Sequence, residues 1–368
     1  MTLAILGLPL VSFAISWTLT LFIRRVAPRL GWLDNPGGRK IHAAPKPLGG
    51  GTAIFLGIAL PLVGGLAYLH LQPAVAHDYL LNLGAGARSG VAVLAALVAM
   101  HALGLRDDKK ALGPVIKLVV QLAIIGTLVI AMDLRVLTLL DGLLGMGRWP
   151  SVVVTILWIT AVTNAFNFLD NMDGLSAGVA AVCTVAFLAT ALSINQWFVA
   201  AMLALLLGSL LGFLCFNFPP ASIFMGDGGS LVIGLLLGIL TVRTTYLERS
   251  AQPLAGNWYK LLAPVVVLAL PLYDLVVVTG IRLMRGKSPF VGDTNHFSHR
   301  LVARGMSRST AVLCLYLVTA ATSVAAVLLP QVSGTGAVLI FLQTVLVLGV
   351  VALLEQHPLP PGRDDRDS

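Results

Sequence analysis

Apolar runs of roughly twenty residues recur from one end of this chain to the other, and each is long enough to cross a bilayer as a helix. Eleven candidate spans follow, at about 3–23, 49–70, 89–105, 114–132, 150–168, 175–193, 198–218, 230–247, 261–283, 310–329 and 337–354. Inside hydrocarbon a backbone must satisfy its own hydrogen bonds, so runs of this length fold as helices. The charge content agrees: 57% of the 368 residues are hydrophobic and 11% charged, against about a quarter charged in a soluble domain. The expected fold class is all-α, a polytopic integral membrane protein of about 11 transmembrane helices. No hydrophilic stretch is long enough for a separate soluble domain. Residues 1–354 are therefore read as one membrane domain, and the polar, proline-rich residues 355–368 as a disordered tail. The first run exceeds a signal-peptide core and lacks a basic flank and a cleavage site, so it is read as a retained helix.

The segments after odd-numbered spans hold about 17 of the 24 lysines and arginines, which places them in the cytoplasm by the positive-inside rule. The N-terminus is then outside and the C-terminus cytoplasmic. The net charge of +8 is assigned to this topology and not to nucleic acid. The three cysteines, Cys183, Cys215 and Cys314, sit inside apolar runs and suggest neither a disulfide nor a zinc site.

Five of these same-side loops contain all the unusual polar clusters except one. The first reads DNPGGRKIHAAPKPLGGG (34–51), with Arg39, Lys40, His42 and Lys46 as anion contacts or topology signals. The second, GLRDDKKALGPVIK (104–117), sets Asp107 and Asp108 at a helix end, where oxygen ligands suit Mg²⁺ or pair with Lys109 and Lys110. Lys117 lies about one turn inside the next helix, able to snorkel back to the edge. The third, NAFNFLDNMDGLSAG (164–178), spaces Asn164, Asn167 and Asn171 at i, i+3 and i+7, with Asp170 and Asp173 beside them. A polar stripe at membrane depth has to face the bundle interior or a water-filled cavity, or else bond amide to amide between helices. The fourth, FNFPPASIFMGDGGS (216–230), holds Asp227 among glycines before a new span, with Ser230 as an ordinary N-cap candidate. The fifth, GKSPFVGDTNHFSHRL (286–301), carries Lys287, Asp293, His296, His299 and Arg300, which suit phosphate contact or proton handling, or a basic loop on anionic lipid. The exception is Asp274, mid-span in LPLYDLVVV, which marks function or a buried partner such as a neighbouring amide.

In this order the five motifs resemble the polyprenyl-phosphate N-acetylhexosamine-1-phosphate transferase family, in its bacterial N-acetylglucosamine-type branch. The resemblance covers residues 34 to about 301. It implies that residues 1–354 form a transferase domain in the bacterial inner (plasma) membrane, with the active site on the cytoplasmic face. The implied reaction passes a sugar-1-phosphate from a UDP-sugar to undecaprenyl phosphate or a similar lipid and releases UMP. It implies Mg²⁺, with Mn²⁺ as a substitute, and leaves room for a homodimer. By the resemblance, Asp107, Asp108 and Asp227 are catalytic, and Asp227, Asp108 and Asn167 hold the metal. Lys40, His42, Lys117, Asn164, Asn167, Asp170, Asp173, His296, His299 and Arg300 contact substrate. Many relatives read His-x-His-His where this chain reads HFSH, so Ser298 stands in a histidine position. A histidine restored there is expected to be tolerated. The missing histidine triplet favours this branch over the phospho-N-acetylmuramoyl-pentapeptide branch.

Two other readings compete. Asp170, Asp173, Gly174 and Ala177 open like a CDP-alcohol phosphotransferase signature, but Gly178 replaces the arginine due next and no acid follows Asp173 until Asp227. A secondary transporter also breaks helices at glycine and carries intramembrane acids, but its site lies near the midplane between repeats. Here the polar clusters gather at one edge.

Overall fold

The computed structural model describes residues 2–34, 45–71, 86–244, 262–286, 288 and 296–356. Nine helices among them are long and apolar enough to cross a membrane, and the protein is a multi-pass, all-α membrane protein. They are α1 (Thr2–Val26), α2 (Gly50–Leu71), α3 (Gly86–Lys109), α4 (Pro114–Met132), α6 (Trp149–Leu169), α7 (Leu175–Ser193), α8 (Trp197–Asn217), α13 (Arg308–Leu328) and α14 (Gly334–Gln356). Between α4 and α6 lies the short α5 (Leu139–Leu144).

The other two expected spans take different forms. The eighth is α9 (Asp227–Arg243), a shorter helix of 17 residues. The ninth is broken into α10 (Ala263–Val267) and α11 (Ala269–Met284). Pro271, which has no N–H to bond the Val267 carbonyl, sits in the first turn of α11 just after the break. A seven-residue helix, α12 (Phe297–Ala303), precedes α13. Of the expected tail, residues 355 and 356 belong to α14 and the rest lies outside the described residues.

Burial sorts the helices. Every residue of α9 from Gly228 to Thr241 is buried, as a helix apolar on all faces should be at the centre of a bundle. It packs on α3 and α6, with α2 also against it. At the rim, α1 and α14 leave Leu10, Phe22, Leu339, Leu346 and Leu353 exposed, a lipid-facing surface. Serine hydroxyls tie α1, α2 and α8 together: Ser12 donates to the Gly57 carbonyl at 2.8 Å, Ser16 to Ser209 at 2.7 Å and Ser209 to Ile54 at 2.7 Å.

Close backbone approach sets the position of α9 along this bundle. A Cβ on Gly104 of α3 would lie 2.5 Å from the Asp227 carbonyl, so glycine lets the two helices touch there. Residues 47–51 run along residues 224–225, with Phe224 N–H donating to Pro47 at 2.8 Å and Gly51 N–H to Met225 at 2.9 Å. The first loop is closed at its base by a two-residue antiparallel pairing of β1 (Leu33–Asp34) with β2 (Lys46–Pro47). Loops far apart in sequence are thereby stitched to the start of α9.

Candidate active site

The site grows from the start of α9. Gly226 holds a positive φ (73°), which glycine adopts without strain, where the chain turns into the helix. The first helical N–H groups have no internal acceptor, and Asp108, from the last turn of α3, supplies one. Its Oδ1 accepts from Asp227 N–H at 2.8 Å and its Oδ2 from Gly228 N–H at 3.1 Å. The cap thus comes from Asp108 across the bundle, not from Ser230. Ser230 instead accepts from Asn167 Nδ2 at 2.9 Å. On the other side of the same start, His101 Nδ1 lies 2.8 Å from the Gly228 carbonyl, its ring stacked on Phe55.

The turn from α3 to α4 brings the next charges in. Asp107 Oδ1 accepts from Leu112 N–H at 2.7 Å, which closes the turn, and Pro114 starts α4 where its missing N–H does no harm. Lys117 on α4 then returns over the acids. Its ammonium bonds Asp227 Oδ2, lies 3.4 Å from Asp107 Oδ2 and donates to Asn167 Oδ1 at 3.2 Å. Asn167 Nδ2 donates to Asp227 Oδ1 at 2.7 Å. Asp107, Lys117, Asn167 and Asp227 therefore form one cluster, built from three separate motifs. Beside it a cleft of about 210 Å³ runs between α4 and α6, lined by Asp107, Lys117, Gln121, Asn164, Asn167 and Phe168 among others.

The hairpin 170–174 joins α6 to α7 and is pinned by five partners. Asn217 accepts from Gly174 N–H at 3.0 Å, and Tyr316 donates to the Gly174 carbonyl at 2.5 Å. Asp173 accepts from Ala221 N–H at 2.9 Å and lies 3.7 Å from the Lys46 ammonium. Asn171 accepts from Ser298 Oγ at 2.6 Å, which ties the fifth loop to the third. Burial pushes the Asp170 carboxyl well above the usual carboxylate range, with Asp227, Asp108 and Asp173 adding repulsion.

The histidine loop approaches over Phe168. His296 Nδ1 bonds Asp274 Oδ2 at 2.8 Å, so the intramembrane acid pairs with an imidazole from the fifth loop and not with a neighbouring amide. His296 meets Phe168 edge-on with ring centres 6.1 Å apart, and His299 lies 6.3 Å from His296. Burial, helped by His296, holds His299 below its ordinary pKa. Arg300 sits on α12 next to them. Lys40 and His42 lie outside the described residues, as do Arg39, Lys287 and Asp293.

The Ser298 environment bears on one expectation from the sequence. Its side chain is fully buried and donates to Asn171, so an imidazole there has to displace that contact and repack its surroundings. Ser298→His is expected to lower both the melting temperature and the transfer rate, whereas Ser298→Ala loses one hydrogen bond, about 1 kcal/mol. Thermal unfolding of the two purified variants, compared side by side, checks this; an unshifted Ser298→His protein would show the loop can open.

Among the residues that sequence reasoning did not single out, His101, Gln121, Asn217 and Tyr316 bond the elements of the site. Gln121 carried a usable signal, a polar side chain four residues beyond Lys117 in an apolar span.

A helical membrane bundle with acids, an ammonium and amides gathered at one edge has the make-up of a membrane phosphotransferase. Glycosyl transferase family 4 matches residues 91–245. A Bacillus subtilis (strain 168) protein described as a probable undecaprenyl-phosphate N-acetylglucosaminyl 1-phosphate transferase is 29% identical, over 87% of this chain and 83% of its own. A decaprenyl-phosphate N-acetylglucosaminephosphotransferase of Mycobacterium tuberculosis is 32% identical, over 86% of this chain and 79% of its own. A phospho-N-acetylmuramoyl-pentapeptide-transferase of Desulforudis audaxviator is 39% identical, but over 38% of this chain and 44% of its own. The chain belongs to glycosyl transferase family 4, and it is a phosphotransferase enzyme. That membership removes the transporter and CDP-alcohol readings.

Proposed function

We propose that the protein transfers N-acetylglucosamine-1-phosphate from the UDP-sugar to undecaprenyl phosphate or a similar polyprenyl phosphate. A phosphate oxygen of the lipid bonds to the β-phosphorus, the bond from that phosphorus to UMP breaks, and polyprenyl-diphosphate sugar remains. The observation that carries this reading is the cluster of Lys117, Asn167, Asp107 and Asp227 beside a cleft at the bundle edge. A lipid phosphate anchored in the bilayer and a nucleotide arriving from water have to meet at such an edge. The same reading sets the site on the cytoplasmic face of a bacterial inner membrane, where the lysine- and arginine-rich loops lie.

Phosphoryl transfer depends on positioning and on neutralising charge. Lys117 neutralises one phosphate oxygen and holds the Asp227 carboxylate behind the cleft wall. We assign Asp107 to the proton of the acceptor phosphate, since it lines the cleft and only its Oδ1 is spent on the turn. Asn164 and Asn167 supply amides along the cleft, and Asp170 and Asp173 shape the hairpin beside it. His296, fixed by Asp274, together with His299 and Arg300, is assigned to the diphosphate and sugar.

The donor set also fits Mg²⁺. Asp227, Asp107 and the Asn167 carbonyl offer only oxygens, and the acids around them outnumber the Lys117 ammonium. Bound to Asp227 with Asn167, Mg²⁺ would neutralise the diphosphate as charge moves onto the leaving UMP. Asp108 spends both oxygens on the start of α9, so its part is to hold Asp227.

The test is one assay. Purified protein is given Mg²⁺, undecaprenyl phosphate and a panel of UDP-sugars, and UMP release is measured. UDP-N-acetylglucosamine is expected to give the fastest release. Release only with the muramoyl-pentapeptide nucleotide would move the protein to the other branch, and no release with any sugar would end the proposal.

A further inference from the structure

Gln121 lies on α4 one turn beyond Lys117, in the cleft wall, and is fully buried. Its amide has a fixed orientation. The Thr160 carbonyl can only accept, so the Asn164 atom 2.8 Å from it is Nδ2. The same Nδ2 lies 2.8 Å from Gln121, which therefore presents Oε1 to it. Gln121 Nε2 is left with two hydrogens and no hydrogen-bond partner among the described residues. A buried donor without an acceptor is unfavourable, more so at membrane depth. It is retained where a ligand brings the acceptor.

We propose that Gln121 is a further substrate-binding residue, whose Nε2 donates to a phosphate oxygen of the polyprenyl-phosphate acceptor beside the Lys117 ammonium. This rests on the transferase reading above. Depth selects the lipid over the nucleotide. Gln121 lies about 6 Å further along α4 than Lys117, at 1.5 Å per residue. At that level the same helix exposes Val119 and Ala123 on its outer face, as a lipid-facing surface does. A nucleotide sugar would have to leave water to reach it, whereas the acceptor phosphate rides on a chain already in the bilayer. The donor is neutral, so it holds a phosphate oxygen without competing with Asp227 and Asp107 for Lys117.

Two variants separate this role from a structural one. Among the described residues the Gln121 side chain acts only as an acceptor for Asn164. Gln121→Glu keeps that acceptor and removes the donor, while Gln121→Met removes both at similar volume. Steady-state UMP release is measured for each against polyprenyl phosphate and against the UDP-sugar, with wild type alongside. Both variants are expected to raise KM for polyprenyl phosphate roughly ten- to a hundredfold, the range for a hydrogen bond to a charged group. KM for the UDP-sugar should stay within about twofold. A Glu variant with wild-type KM for the lipid, or a rise confined to the UDP-sugar, overturns the inference while leaving the transferase intact. Wild-type protein without UMP release removes the transferase reading and this inference with it.

Discussion

Asp227→Asn is expected to lower UMP release at least about a thousandfold while the purified protein stays folded. Asp227 is where three motifs meet: Lys117 bonds one oxygen, Asn167 bonds the other, and its own backbone N–H is held by Asp108. Asparagine keeps the shape but loses the charge that faces both the ammonium and any divalent cation. It also sets an N–H₂ group against either Lys117 or Asn167, so one donor loses its acceptor. The fold should tolerate this. Lys117 retains Asp107 at 3.4 Å, the helix start retains Asp108, and the site is partly open to solvent. The melting temperature is therefore expected within a few degrees of wild type, by about 1 kcal/mol. Near-normal turnover in a folded Asp227→Asn protein would remove Asp227 from charge neutralisation altogether.

The fold was legible where one rule dominates. A bilayer demands about twenty apolar residues per helix, and nine of the eleven expected spans are helices of that kind. The eighth, α9, has 17 residues and is buried from Gly228 to Thr241 at the centre of the bundle. The ninth is interrupted between Val267 and Ala269, just before Pro271, where hydropathy reads one run. The site was legible as residue types and as one edge. Asn167, Asp227, Asp107 and Lys117 converge as the motifs imply. What remained hidden was which partner each group takes, because hydrogen-bond pairing is decided by tertiary geometry. Ser230 has the right type and place for an N-cap, yet a carboxylate from another helix fills that role. Asp274 was marked by depth alone, and its His296 partner is 22 residues away in a separate loop. Gln121 looks like an ordinary polar residue in a span until the Thr160 carbonyl fixes the amides around it.

Asp108→Asn decides between the role that the motif implies for Asp108 and the one that its contacts support. As a metal ligand, its loss should raise the Mg²⁺ concentration needed for half-maximal UMP release and leave stability alone. As the cap of α9, its loss should do the reverse. Asparagine can accept from only one of the Asp227 and Gly228 N–H groups, and its own N–H₂ then confronts the other. The negative charge opposite the helix start is lost as well. Loss of a cap of this kind destabilises by about 0.5–2 kcal/mol. Because the first residue of the helix is Asp227 itself, a shift there moves the carboxylate out of line with Lys117 and Asn167. A displacement on the order of 1 Å costs about a hundredfold in rate. The expected result is a kcat roughly a hundredfold lower and a melting temperature lower by several degrees, with the Mg²⁺ requirement little changed. A tenfold higher Mg²⁺ requirement at an unchanged melting temperature would return Asp108 to the ligand set. The start of α9 would then need another acceptor in place of Asp108.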